Sequence, residues 1–215
     1  MIEKNVFYYY KTDTGGNVMQ EFWNQRYSLY DYGYGIKPNK FFKSQIDRLS
    51  PGKLLLPGEG EGRNAVYAAK RGWEVTAVDF SVKAQIKANR LAVDHNVEIQ
   101  YIVDNLENAV IPEDTYNAAA LIYVQLDSKL FETVMQKVLK SLKKGGTFFM
   151  ECYSEKQLGR RSGGPKSLNR LYTIPQIQKL LDDLNITYLQ EEEIMLQEGE
   201  FHQGKAMVIR GVAIR

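Results

Sequence analysis

The chain has 215 residues, enough for one domain with a full hydrophobic core. Its 28 basic and 26 acidic residues leave a net charge of only +2, so no strong field for a polyanion such as nucleic acid is expected. A single cysteine, Cys152, excludes an intramolecular disulfide and suits a reducing compartment, and no apolar run approaches the ~20 residues of a membrane span. A soluble, cytoplasmic protein is expected, as one domain over residues 1–215, and no metal cluster is evident.

Met1–Gly16 is turn-rich and reads as a loosely held tail. Asn17 is a plausible N-cap for a helix over 18–28, which places Trp23, Arg26 and Tyr27 on neighbouring turns. A Tyr- and Gly-rich loop over 30–35 follows, and Pro38-Asn39 opens a second helix that closes at Pro51-Gly52. Residues 1–50 thus form a tail and helical layer, and 51–215 the core.

Lys53–Pro57 is a short apolar run of the buried-strand kind. Gly58, Gly60 and Gly62 come next at every second position, where glycine allows positive φ and close approach of the backbone to a ligand. A helix over 64–71, stopped by Gly72, leads to a strand over 74–78 that ends in Asp79. Asp79 stands 21 positions beyond Gly58, the interval at which a βαβ unit presents a carboxylate to a ribose diol. The loop lacks the Gly-Lys-Ser/Thr of a P-loop, and Arg63 occupies the third glycine position of a dinucleotide fingerprint. What remains is GxGxG with an acidic loop, through Glu59 and Glu61, that tolerates a cationic ligand. S-adenosylmethionine (SAM), with its sulfonium and ammonium, suits that sign.

Gly58-Glu59-Gly60-Glu61-Gly62-Arg63-Asn64-Ala65, followed by Lys70 to Asp79, resembles the class I SAM-dependent methyltransferases, and within them the small TehB-like (tellurite-resistance) and thiopurine-methyltransferase-like branch. The chain departs from that pattern at Leu56, where the family usually has an acid. The resemblance implies an α/β, Rossmann-like, doubly wound sheet of seven mostly parallel strands, with an antiparallel C-terminal hairpin and an N-terminal helical lid. It implies SAM as cofactor, S-adenosylhomocysteine (SAH) as product, and cofactor contacts from Gly58, Glu59, Gly60, Gly62, Arg63, Asn64 and Asp79. Trp23, Tyr27 and Tyr34 then belong to a lid over the cofactor and the acceptor, rather than to ordinary helix packing.

Past Asp79, Phe80 offers an apolar platform for an adenine, and Ser81 caps a helix over 82–95. A strand over 98–103 ends in Asp104-Asn105-Leu106. The resemblance gives Asp104 to the adenine amino group and the backbone beyond it to a ring nitrogen; the bland alternative is a loop carboxylate capping local N–H groups. The run over 117–124 is a fourth strand. At its end Tyr123, Gln125 and Leu126 fall at the pocket edge in relatives, with Gln125 where many have His. Asp127-Ser128 caps a helix over 129–142 that runs into Lys143-Lys144-Gly145-Gly146, and 147–152 is a fifth strand. The connection 153–172 lies past a strand's carboxyl end, where its arginines, Arg160, Arg161 and Arg170, either meet an anionic substrate or are solvated. Thr173 caps a helix reaching about Leu184, and strands over 186–196 and 206–214 flank a loop over 197–205. That loop resembles the branch's approach to the active site, so His202 is either an acceptor contact and the base that an amine or hydroxyl acceptor needs, which a thiolate or reduced chalcogen does not, or a solvated turn histidine. The expected activity is transfer of a methyl group to a small-molecule acceptor, with a soft sulfur, selenium or tellurium nucleophile among the candidates. A non-catalytic SAM sensor and an NAD-dependent oxidoreductase are the competing readings. Oligomeric state is not legible.

Overall fold

The computed structural model describes residues 15–29 and 31–215. Most of the expected tail, 1–14, and Tyr30 of the Tyr/Gly loop lie outside the described residues. Helix α1 spans Gly15–Tyr27, so it starts ahead of Asn17, which lies inside it instead of capping it. Helix α2 is Lys40–Ile46, with Asn39 as its N-cap taking the Phe42 N–H. Then follow β1 (Lys53–Pro57), α3 (Arg63–Ala69), β2 (Glu74–Asp79), α4 (Val82–Asp94), β3 (Gln100–Val103), β4 (Tyr116–Ile122), α5 (Ser128–Ser141), β5 (Leu142–Tyr153), α6 (Ile174–Leu180), β6 (Asn185–Glu198) and β7 (His202–Ile214).

The sheet has seven strands in the order β3-β2-β1-β4-β5-β7-β6. All neighbours run parallel except those involving β7, which is antiparallel to both β5 and β6. This is the expected doubly wound sheet with its C-terminal hairpin. Alternation along the strands sorts two cores. Leu55, Val78, Phe148 and Met150 face α5 and α6, while Leu54, Leu56, Val75 and Phe149 face α2, α3 and α4. Cys152 is buried in the first of these, and burial pushes its thiol up.

Three boundaries differ for physical reasons. Lys143 to Gly146 is extended, not a helix end, because Leu142 pairs with Tyr116 and Gly145 N–H donates to Arg215 O, drawing the segment into β5. Helix α6 stops at Leu180, and β6 begins at Asn185, where pairing with Ile214 starts. The hairpin is longer than expected: pairing continues to Glu198 and His202, leaving a turn of only Gly199, Glu200 and Phe201. That extension brings Glu198 and His202 face to face. Among the described residues no helix is long and apolar enough to cross a membrane.

Candidate active site

Neighbours diverge to opposite sides of the sheet between β1 and β4, and ligands of open α/β sheets bind beyond the carboxyl ends of strands at such a point. The glycine loop turns there. Gly60 and Gly62 have φ of +65° and +88°, and a Cβ on Gly62 would stand 2.6 Å from that of Ala88. Only glycine lets the loop pass this close to α4 and enter α3. The Glu59 carboxylate folds back onto the start of α3 and accepts the N–H groups of Asn64 (2.9 Å) and Ala65 (2.8 Å). Burial nevertheless raises its pKa to about 7.

A cleft holding about 880 Å³ of empty space, part of it open to solvent, lies over this loop. Its wall takes Gly58, Glu59, Gly60, Arg63 and Asn64 from the loop and α3, Trp23 and Tyr27 from α1, and Tyr34 from the loop after α1. Tyr123, Gln125 and His202 complete the expected set. Trp23 stacks on Tyr27 at 5.4 Å between centroids. Tyr123 has φ +56°, a strained conformation for a bulky residue, and the adjoining Glu151 O accepts its N–H.

Other expected residues stand apart from the cleft. Asp79 is buried beneath the loop, its carboxylate accepting the N–H groups of Gly60 (3.1 Å) and Ser81 (2.9 Å), and burial lifts its pKa to about 6. Helix α1 crosses the end of β2: Gln20 donates to Phe80 O, and Ser81 donates to Asn24. Phe80, Gly62, Asp104, Asn105 and Leu106 likewise do not line the cleft, and Leu106 packs into the core. Arg160 corrects an expectation, since it pairs with Glu193 on β6 and stays outside the cleft.

His202 is buried, and three tyrosine rings surround it: Tyr34 and Tyr123 at 4.6 and 4.7 Å, and Tyr153 at 5.7 Å. Its Nδ1 meets Glu198 Oε2 at 3.3 Å. Burial pulls the imidazole pKa down, against the pull of Glu198, so the ring is neutral at neutral pH. With Nδ1–H donated to the carboxylate, Nε2 is left as the basic nitrogen. Burial works against the Glu198 charge, but His202 and Arg63 outweigh it and hold the pKa at about 2. Arg63 Nη2 lies 2.9 Å from Glu198 Oε2, and Nη1 donates to Tyr34 O. Asn39 Nδ2 joins Glu198 (3.1 Å) to the fully buried Glu151 (2.6 Å), which also pairs with Arg210.

Sequence reasoning gave no role to Glu198, Glu151, Arg26 or Tyr153. The signals were present: an acid four residues before a histidine across a glycine turn, and a lone acid inside the apolar run of β5. Among the described residues three buried polar atoms of the lining, Glu61 Oε2 and the hydroxyls of Tyr123 and Tyr153, have no hydrogen-bond partner. Such groups are costly to leave unsatisfied, and a polar ligand in the cleft would satisfy them.

The family described as "Methyltransferase domain" matches residues 55–146, from β1 to the start of β5. Residues 55–146 carry a methyltransferase domain. SAM is its cofactor, which leaves no place for the oxidoreductase reading. Several solved structures share the fold of this methyltransferase. TehB from Haemophilus influenzae is 15% identical with a TM-score of 0.68, over 91% of this chain and 66% of that one. Magnesium protoporphyrin IX methyltransferase (ChlM) from Synechocystis PCC 6803, with bound SAM, is 13% identical with a TM-score of 0.68 over 93% and 96%. A structure described under the conversion of a disulfide bond into a thioacetal group during echinomycin biosynthesis is 13% identical with a TM-score of 0.76, over 92% and 91%. Among curated proteins none matches this sequence.

Proposed function

We propose that this methyltransferase methylates the sulfur of a small thiol, with His202 as general base. The observation that carries the reading is the buried Glu198–His202 pair, whose His202 lines the cleft. A neutral imidazole with its pKa below the ordinary 6.5 is a weak base. It accepts a proton readily from a thiol of pKa about 8.5, and far less readily from an alcohol. One structural neighbour is associated with the conversion of a disulfide into a thioacetal, which is sulfur chemistry on this fold.

Bound SAM supplies a methyl group on a sulfonium, transferred by in-line displacement. Glu61 Oε2, buried and without a partner, suits the cofactor's ammonium, and the backbone at Gly58 and Gly60 lets its methionine end lie close. Asp79 is held for the ribose hydroxyls, which requires the α1 contacts at Phe80 and Ser81 to yield. His202 Nε2 takes the S–H proton as the new carbon–sulfur bond forms, and Glu198 stabilises the imidazolium that results. Trp23, Tyr27, Tyr34 and Tyr123 exclude water and restrict the angle of attack.

Calorimetric titration with SAM and with SAH, followed by turnover on a panel of thiols, tests the reading. Micromolar binding of both and methylation of at least one thiol are expected. His202→Gln should lower kcat about 10²- to 10⁴-fold with little change in KM. Unchanged kcat would remove His202 from the chemistry, and binding without turnover on any acceptor would favour a SAM sensor.

A further inference from the structure

The charges of the cleft do not balance, and the imbalance bears on the acceptor. Glu61 pairs with Lys87 at 2.7 Å, and Glu198 pairs with Arg63 at 2.9 Å. Glu59 spends its carboxylate on two N–H groups of α3. Two guanidinium groups on the wall, Arg26 and Arg170, have no acidic partner among the described residues. Arg26 lies over the Phe201 ring at 4.1 Å and donates to the Tyr34 hydroxyl. Arg170, at the end of the short 3-10 helix Leu168–Arg170, makes among the described residues a long side-chain contact from Nη1 to Met19 Sδ at 3.9 Å. Its backbone is fixed all the same: its N–H donates to Ser167 O, and the Gln125 amide, oriented with nitrogen toward Arg170 O and oxygen toward Tyr153 N–H, ties it to the end of β5.

SAM does not supply the missing negative charge. It carries a sulfonium and an ammonium against one carboxylate, so its arrival makes the site more positive. An anion must come with the second substrate, and a guanidinium binds a carboxylate with two parallel hydrogen bonds. We propose that Arg170, seconded by Arg26, binds a carboxylate on the acceptor, so that the acceptor is an acidic thiol. Arg170 is thus a specificity residue, set on the wall that also carries Tyr153, Gln125 and His202. The nature of the nucleophile rests on the preceding functional reading; the anion site does not.

The test is calorimetric binding of para-(mercaptomethyl)benzoate and of its methyl ester to the enzyme saturated with SAH. The acid should bind at least about tenfold more tightly than the ester. Arg170→Gln should abolish that difference, Arg170→Lys should retain part of it, and SAH affinity should change less than twofold in both. Equal binding of acid and ester by the wild type, or survival of the difference in Arg170→Gln, would overturn the proposal. So would a loss of SAH affinity in Arg170→Gln as large as the loss for the acid, because Arg170 would then be reading the cofactor's carboxylate. Methyl transfer to either compound is scored separately, so failure of the thiol reading is distinguishable from failure of the anion site.

Discussion

Glu198→Gln is the sharpest probe of the buried network, because it keeps the side chain's shape and removes its charge. In the native protein both partners of the Arg63–Glu198 pair are 9% exposed in their side chains, so water screens the interaction poorly. The substitution leaves the Arg63 guanidinium in the interior without a counter-charge, facing only neutral acceptors, Tyr34 O and the amide oxygen that remains at 198. The new amide also faces Asn39 Nδ2, another donor, so one of those contacts is lost as well. Breaking a buried pair from one side costs about 3–5 kcal/mol, against ~1 kcal/mol or less for an exposed pair. With a urea slope of ~2 kcal/mol per molar, the unfolding midpoint should fall by roughly 2 M. The double variant Arg63→Met/Glu198→Gln should recover most of this loss, since no uncompensated charge remains. The gap also has a pH signature. The Glu198 pKa lies at about 2 against an ordinary 4.5, so its contribution is complete above pH 4.5 and fades as pH falls toward 2. Wild type and Glu198→Gln should therefore converge in acid. A single-variant loss below ~1 kcal/mol, or no recovery in the double variant, would mean that the pair is solvated and refute the account of a buried network.

Asp79 gives the opposite sign. Burial raises its pKa from 3.8 to about 6, so the folded state binds more protons than the unfolded one in that interval, and stability falls as pH rises through it by about 3 kcal/mol. Asp79→Asn should flatten that slope and raise the stability of the ligand-free enzyme at pH 8 by about 1–2 kcal/mol, measured by denaturation, while weakening SAH by at least ~1 kcal/mol. Loss of both would mean that Asp79 is needed for folding. The pH profile of kcat/KM with a thiol acceptor should keep its plateau below pH 6.5 and fall only at lower pH, because burial holds His202 neutral there. An acid limb above 6.5 would assign it to another group. Gly62→Ala forces a left-handed residue and a contact of 2.8 Å with Ala88 Cα, and should destabilise by about 2–4 kcal/mol in thermal unfolding.

The fold was legible wherever period and punctuation agreed. The apolar runs of β1, β2 and β4, the caps Asn39, Ser81, Asp127 and Thr173, and the glycine loop each carry a local cause that the sequence displays. The end of α5 misled because Leu142 to Gly146 has helix-terminating composition, whereas its conformation is set by Tyr116 and Arg215 on other strands. The site divides in the same way. The loop and its flanking aromatics were visible because contiguous residues build them. Arg63 and Glu198 are 135 residues apart, and Asn39 and Glu151 are 112 apart. They meet because the strand order sets β7 beside β5, and because β6 and β7 stay paired out to Glu198 and His202. A hairpin ending at the expected Leu196 and Ala206 would have left His202 in a nine-residue loop, with no fixed carboxylate on Nδ1. The proposed chemistry therefore depends on two residues of extra pairing beyond Leu196, held by a Gly199 at φ +59°. Local pattern marks His202 as a turn residue, and only the tertiary register gives it a buried base's surroundings.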